Sequence, residues 1–136
     1  QNLKSAIKIR NLAMSEKETI FSKIIKEEIP STFLYEDEHC IVIDDISPQA
    51  PVHMLVIPKK PLPRLVDASA EDKDLLGHLL LIANEMAAYR EVANAFRIVI
   101  NNGARAGQTV FHLHLHVLAD IQSDVGFSET DMVDKN

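Results

Sequence analysis

Residues 111–118 constrain the fold more than any other part of the chain. They read Phe-His-Leu-His-Leu-His-Val-Leu, so apolar and polar residues alternate from Phe111 to Val117. Strict alternation is typical of a β-strand, whose successive side chains point to opposite faces of a sheet. The pattern predicts a strand over residues 110–118 that carries imidazoles about 7 Å apart on one face. The other face is predicted to join the core through Phe111, Leu113, Leu115 and Val117.

The imidazoles of this segment belong to His112, His114 and His116. Packing neutral rings into a core would require a partner for every ring nitrogen, so their clustering indicates chemistry rather than structure. The residue types leave two chemistries open. Two of the imidazoles together with His53 could chelate zinc. Alternatively, a neutral imidazole could attack phosphorus and form a covalent intermediate.

The segment just before the histidines favours the second chemistry. Residues 103–109 combine a glycine-bounded loop with the amide of Gln108 and the hydroxyl of Thr109. Loop N–H groups and side-chain donors can surround phosphate oxygens without a metal. The sequence therefore indicates an anion site beside the histidines.

The remaining periodicity predicts an α+β fold. A capping box at Ser15 and Glu18 begins a short helix that Pro30 closes, and a second helix begins near a cap at Ser69 and reaches about Tyr89. Apolar runs at 33–35, 40–43, 52–57 and 97–100 predict four more strands. We expect a five-stranded antiparallel sheet with both helices on one face and the function on the other.

Composition narrows the class of protein. A length of 136 residues favours one domain, and no apolar run approaches the roughly 20 residues of a membrane span. Fourteen basic against twenty acidic residues give a net charge of −6, which argues against a nucleic-acid or anionic membrane partner. The single cysteine, Cys40, excludes an internal disulfide and a multi-cysteine zinc site, and we interpret it as a small buried hydrophobe.

The two ends of the chain differ from its middle. Lys4, Lys8 and Arg10 make the start basic, which resembles a mitochondrial presequence only weakly. We interpret residues 1–14 as an extension, 15–120 as the domain and 121–136 as a tail, and we expect a cytoplasmic or also nuclear protein.

Several motifs together resemble one known family. The histidine segment, preceded by Ala106-Gly-Gln-Thr-Val110, resembles the signature of the histidine-triad superfamily, which is His-x-His-x-His followed by two apolar residues. The stretches 19–25, 45–53, 55–60 and 75–78 are similar to the Hint (histidine-triad nucleotide-binding) branch rather than to the dinucleoside polyphosphate hydrolases. The resemblance covers about residues 18–119.

The resemblance implies a homodimer whose sheet extends across the two subunits and which binds purine nucleotides. It implies hydrolysis of purine nucleoside phosphoramidates, including lysyl- and aminoacyl-adenylate-type substrates, without a metal or cofactor. His114 would be the nucleophile, His112 and His116 would orient it and donate hydrogen bonds around the phosphate, and His53 would join the proton network.

The resemblance also implies a set of nucleotide-binding residues. Asp45 would accept hydrogen bonds from the ribose hydroxyls. The apolar residues of the set would be interpreted as core residues if the resemblance were not considered. The phosphate contacts would be Asn101, Gly107, Gln108 and Thr109, and the base pocket would be Phe21, Ile24, Ile43 and Ile46.

Two histidines are predicted to lie outside this site, and the C-terminal tail differs from that of many family members. We interpret His39 as a solvated turn residue and His78 as a structural histidine of the long helix. The tail lacks the Trp-Pro-Pro-Gly ending of many relatives, which leaves the preference for the leaving group open. The alternatives to a phosphoramidase are a dinucleoside polyphosphate hydrolase and a non-catalytic nucleotide- or zinc-binding scaffold.

Overall fold

The computed structural model describes residues 18–121, and the predicted extension and most of the predicted tail lie outside this range. The described residues form an antiparallel five-stranded sheet with two α-helices, and the last strand along the chain lies between the third and the fourth. This confirms the predicted fold class. The elements are α1 (Ile20–Ile25), β1 (Tyr35–Glu36), β2 (Cys40–Asp44), β3 (Val52–Pro58), α2 (Lys73–Tyr89), β4 (Phe96–Val99) and β5 (Leu115–Ala119).

Helix α1 begins later than the sequence predicts. Its N-cap is Thr19, whose hydroxyl accepts a hydrogen bond from the Ser22 N–H at 3.1 Å. Glu18 lies before the helix and forms an ion pair with Lys26 instead. Ser15, the other half of the predicted capping box, lies outside the described residues, and the described helix starts at Ile20. A threonine next to the first apolar residue provides the cap.

Helix α2 follows the prediction more closely. The Ser69 hydroxyl accepts from the Glu71 N–H, and the Asp72 carboxylate accepts from the Ser69 N–H. These bonds cap a short 3-10 turn, Ala70–Asp72, that leads into the α-helix at Lys73. Within residues 18–121, neither α-helix combines the length and apolarity that crossing a membrane would need.

The two helices lie on opposite faces of the sheet. One face packs against α2 through Leu79, Ile82 and Met86, with Val117 of β5 in the same cluster. The other face packs against α1 through Ile41, Ile43, Leu55, Ile57, Phe21 and Ile24. The expectation that both helices cover one face is therefore wrong. Strands β2 and β3 are apolar at nearly every position, so both of their faces need a cover.

Candidate active site

Residues 110–114 approach β5 but do not belong to it, because the strand comprises only Leu115–Ala119. The predicted strand is therefore wrong over its first half. The N–H of Leu113 donates to the carbonyl of Leu62 at 2.7 Å rather than to a neighbouring strand. Alternation still places Leu113 in the core, whereas Phe111 is 42% exposed, so its predicted core position is also wrong.

The ring of His114 is held by its own chain. Its Nδ1 lies 2.7 Å from the carbonyl oxygen of His112, and a carbonyl can only accept. The proton is therefore assigned to Nδ1, and the neutral ring keeps a lone pair on Nε2. Phe21 packs edge-on against this ring with centroids 4.9 Å apart, and His114 is 8% exposed. The result is an oriented, largely buried imidazole with one nucleophilic nitrogen.

His112 is committed to the protein backbone. Its Nε2 donates to the carbonyl of Pro58 at 2.7 Å, and the residue is buried. A neutral ring has one N–H, so none remains to donate to a phosphate. The expectation that His112 donates around the phosphate does not fit this geometry. Its carbonyl instead fixes the tautomer of His114.

His116 and His53 form a hydrogen-bonded pair across β5 and β3. The Gln49 N–H lies 3.0 Å from His53 Nδ1, so this nitrogen accepts and the proton of the ring is assigned to Nε2. His53 Nε2 is 2.9 Å from His116 Nδ1 and 3.4 Å from the Asp45 carboxylate. His116 therefore carries its proton on Nε2, and its ring lies beside that of His114 at a centroid distance of 4.9 Å. The geometry leaves one imidazole with a lone pair next to one with an N–H.

Burial keeps this cluster uncharged. It lowers the pKa of His114, although the hydrogen bond to His112 and the Asp45 charge oppose the shift. It also lowers the pKa of His53 and His112. For His116, burial and the neighbouring imidazoles lower the pKa to about 4. All four rings are therefore neutral near pH 7, as a nitrogen nucleophile requires.

We expect acid to destabilise the fold through these rings. A histidine with a lowered pKa binds its proton more readily when the chain is unfolded, so the free energy of unfolding falls between pH 6.5 and about 4. For His116 alone the shift corresponds to roughly 3 kcal/mol. Urea denaturation at several pH values in this window should show the loss, and His116→Gln should make the profile flatter. A profile that is flat in the unsubstituted protein would contradict the assignment.

The loop before the histidines is held by Gln108. Its Oε1 accepts from the Gly103 N–H at 2.7 Å, while its Nε2 donates to the carbonyls of Pro63 and Val110 at 2.8 and 3.0 Å. The residue is 3% exposed. Its amide is thus engaged within the protein, which assigns it to shaping the loop rather than to a free phosphate donor.

Two glycines give the same loop its course. Gly103 and Gly107 have φ angles of 93° and 100°, a region that side chains rarely adopt, and they bound the 3-10 turn Ala104–Ala106. Asn101 lies beside Gly107, and Thr109 is exposed. These three predicted phosphate contacts therefore lie in or next to one rigidly shaped turn.

Replacing Gln108 with leucine should destabilise the protein. The substitution fills a similar volume but leaves the Gly103 N–H and two carbonyls without their buried partner. We expect a loss of about 1–3 kcal/mol in the free energy of unfolding, measured by denaturant titration. Gln49→Leu is the matched control, because Gln49 is exposed and only its backbone N–H bonds His53. Equal stabilities for the two variants would contradict the role of Gln108.

The predicted base-pocket residues divide into two groups. Phe21, Ile24 and Ile43 are buried in one cluster on the histidine face of the sheet, and their contact with a base stays a prediction. Ile46 is 91% exposed on the loop after Asp45. The Asp45 carboxylate accepts from the Ser47 N–H at 2.8 Å and is partly exposed. An exposed apolar side chain thus stands next to an accessible carboxylate.

Sequence reasoning missed several parts of this site. The carbonyl of Pro58 and the N–H of Gln49 set the tautomers, but backbone groups leave no signal in a sequence. A cavity of about 650 Å³ lined by Lys26, Lys59 and Phe111 borders His112 and was also unforeseen. Asp45, His53 and His116 bring ligand atoms within 4.8 Å of one another, so these residues could also hold a metal ion.

The fold and this site together define a histidine-triad protein. The family model for the HIT domain matches residues 26–122. An uncharacterized HIT-like protein of Synechocystis is 62% identical over 102 residues, which cover 75% of this chain and 90% of that protein. The chain belongs to the HIT family.

Solved structures of other family members have the same fold. The HIT family hydrolase from Legionella pneumophila superposes with a TM-score of 0.75 at 38% identity, covering 77% of this chain and 95% of that one. The HIT family hydrolase from Clostridium thermocellum gives 0.74 at 41% identity, covering 79% and 96%. A histidine triad protein from Clostridium difficile gives 0.73 at 38% identity, covering 78% and 93%. The chain thus has the fold of HIT family hydrolases.

Proposed function

We propose that this HIT family protein hydrolyses purine nucleoside 5'-phosphoramidates, including lysyl-type substrates, at the P–N bond, and aminoacyl-adenylate-type substrates at the P–O bond. The observation that carries the proposal is the neutral His114 ring, whose Nδ1 donates to the His112 carbonyl and whose Nε2 keeps its lone pair. A histidine nucleophile splits one difficult displacement into two easier ones.

The first displacement forms a covalent nucleotidyl-histidine. The Nε2 lone pair of His114 bonds to phosphorus, and the bond from phosphorus to the substrate amine breaks. The electron pair of that bond stays on the amine nitrogen, which takes up one proton and leaves. The Nε2–H of His116 stands beside the nucleophile and is the group we assign to delivering this proton, with His53 and Asp45 linking it to solvent.

The second displacement releases the nucleotide. Water oxygen bonds to phosphorus, the bond from phosphorus to Nε2 breaks, and its electron pair returns to His114. The water gives up one proton, which balances the proton taken up by the amine. Throughout both steps the hydrogen bond from Nδ1 to the His112 carbonyl holds the ring in place and favours its charged intermediate.

Nucleotide recognition is proposed for the residues around the triad. The ribose hydroxyls would donate to Asp45, and the base would lie against Ile46, whose 91% exposure leaves its side chain available. The backbone of Gly107 and the side chains of Asn101 and Thr109 would contact the phosphate. The turn between Gly103 and Gly107 supports this role, because turns with positive φ direct N–H groups toward anions.

A second copy of the chain is the proposed partner. β4 is an edge strand of the described sheet, so another β4 could extend the sheet across a dimer. Helix α2 also exposes Leu80, Leu81 and Tyr89, which are 48%, 61% and 67% accessible. Sedimentation analysis of the full chain should give twice the monomer mass.

Trapping the intermediate tests the proposed function. The protein is mixed with an adenosine phosphoramidate and quenched in mild alkali, because phosphoramidate linkages to histidine are acid-labile. Mass spectrometry should find adenylate on the peptide that contains His114, and fragmentation should place it on that residue. Turnover with adenylate absent, or attached elsewhere, would overturn the proposal.

Comparison of substrates separates the proposal from its nearest alternative. A dinucleoside polyphosphate hydrolase would use the same nucleophile, so trapping alone does not distinguish the two. We expect kcat/KM for the phosphoramidate to exceed that for diadenosine polyphosphates. The reverse order would assign the protein to the other activity.

A further inference from the structure

A second cluster of chemically active side chains lies away from the triad. Asp37 and Cys40 stand at the turn between β1 and β2, and His78 reaches them from α2. Cys40 belongs to the core cluster beneath α2, whereas His116 belongs to the opposite face of the sheet. The proposed mechanism uses none of these residues. We call Asp37, Cys40 and His78 the turn cluster.

The turn cluster converges on one carboxylate. Oδ1 of Asp37 accepts from the backbone N–H groups of His39 and Cys40 at 2.7 and 2.8 Å. Oδ2 accepts from His78 Nε2 at 2.6 Å and from the Tyr35 hydroxyl at 2.9 Å. The two backbone hydrogen bonds orient the Asp37 carboxylate without the His78 imidazole. The position of Oδ2 therefore does not depend on its hydrogen bond to His78.

Three different ligand types meet at this point. The Cys40 sulfur, an imidazole nitrogen of His78 and a carboxylate oxygen of Asp37 lie within 4.8 Å of one another. Zinc is bound in proteins by this combination of thiolate, imidazole and carboxylate, at about 2.0–2.3 Å from each ligand. Small side-chain adjustments would bring the three atoms to a common centre.

The position of His39 points to a fourth ligand. Its ring lies 5.3 Å from that of His78 between centroids, and its side chain is 54% exposed and able to turn. Structural zinc sites are almost always four-coordinate and tetrahedral. If the exposed His39 ring turned toward the turn cluster, the chain would offer four ligands from two segments.

We infer that Asp37, Cys40, His78 and His39 bind a zinc ion that links the β1–β2 turn to α2. The charges favour this, because one thiolate and one carboxylate neutralise the two positive charges of the ion. Side chains of Asp37 and His78 are 21% and 31% exposed, so the site opens to solvent although Cys40 itself is buried.

Binding requires a defined exchange of protons. The Cys40 thiol gives up its proton to solvent as the Zn–S bond forms. His78 moves its ring proton from Nε2 to Nδ1, so that the Nε2 lone pair can coordinate the metal. Cys40 is completely buried, so the ion would reach its sulfur from the side of Asp37 and His78, which is open to solvent. The ion therefore stabilises the fold and takes no part in the phosphorus chemistry.

Cobalt substitution tests the site with unusual specificity. Cys40 is the sole cysteine of the 136-residue sequence, so a thiolate-to-cobalt charge-transfer absorption can arise only from this residue. One equivalent of Co²⁺ added to the reduced, metal-free full chain should produce this near-ultraviolet band with the visible absorption of a tetrahedral ion. Added Zn²⁺ should remove both. A folded protein that shows no charge-transfer band overturns the proposal without any variant.

Variants distinguish this site from the triad, where Asp45, His53 and His116 could also hold a metal. His78→Gln keeps a hydrogen-bonding group beside Asp37 but should abolish the charge-transfer band and the rise in Tm that Zn²⁺ causes. His53→Gln should leave the charge-transfer band unchanged. A band that persists in folded His78→Gln, or that disappears in folded His53→Gln, contradicts the proposed ligands. Circular dichroism establishes that each variant is folded.

Discussion

Replacing His114 with asparagine should reduce kcat/KM for an adenosine phosphoramidate by at least about a thousandfold. Asparagine retains an N–H that can reach the His112 carbonyl, so the local backbone keeps its partner. It has no nitrogen lone pair able to attack phosphorus, and so no nucleotidyl intermediate can form. Steady-state kinetics measures the loss, and thermal unfolding establishes that the variant is folded.

A matched control shows whether the loss of activity is specific to His114 or follows from replacing any histidine with asparagine. His39→Asn makes the same substitution at an exposed turn histidine outside the triad, and the metal-free variant should retain full activity because the proposed zinc ion takes no part in the phosphorus chemistry. Nucleotide binding to His114→Asn, measured by calorimetry with adenosine monophosphate, should change only a few-fold. Turnover by His114→Asn within tenfold of the unsubstituted protein would contradict the nucleophilic role.

Local patterns were sufficient to predict most of the secondary structure. The apolar spacing after Ser69 predicted a helix to about Tyr89, where α2 ends, and the run at 52–57 corresponds to β3. The errors occurred at positions whose structure depends on contacts with residues distant in the sequence. Residues 111–114 alternate as a strand would, yet the N–H of Leu113 donates to the carbonyl of Leu62, because β3 aligns with β5 only from Leu115 onward. A single sequence does not specify that register.

The prediction that both helices cover one face of the sheet was wrong for a related reason. Continuous apolar runs in β2 and β3 indicate burial on both faces, which requires a cover on each side. The consequence reaches the site, because α1 brings Phe21 against the ring of His114. Apolar periodicity says that α1 is amphipathic but not which face of the sheet it meets.

The sequence predicted which residue types form the candidate site, but not the protonation state of each histidine. The resemblance of the three alternating imidazoles to the histidine-triad signature implied a nucleophile and its neighbours, but not that the three rings would differ in protonation. Backbone groups distant in sequence create those differences: the carbonyl of Pro58 occupies the N–H of His112, and the N–H of Gln49 orients His53. Backbone groups of Gly103 and Pro63 likewise engage the Gln108 amide, which therefore shapes the loop.

Replacing His116 with glutamine should lower kcat/KM for amine leaving groups by about 10²–10³-fold. Glutamine can still donate a hydrogen bond, but it cannot relay a proton from the His53 pair to the departing nitrogen. The loss should therefore depend on the leaving group. Fluoride departs from adenosine 5'-phosphorofluoridate without needing a full proton transfer, and for this substrate we expect a much smaller loss.

The ratio of the two losses separates proton delivery from simple phosphate binding. A residue that only binds the phosphate contributes equally to both substrates, because the nucleotidyl group is the same. His116 carries its N–H next to the nucleophile, at a ring-centroid distance of 4.9 Å, so it can reach either a phosphate oxygen or the leaving nitrogen. Equal losses for amine and fluoride substrates would make it a phosphate donor. A larger loss for the amine, measured with both substrates at the same pH, would assign it to the leaving group.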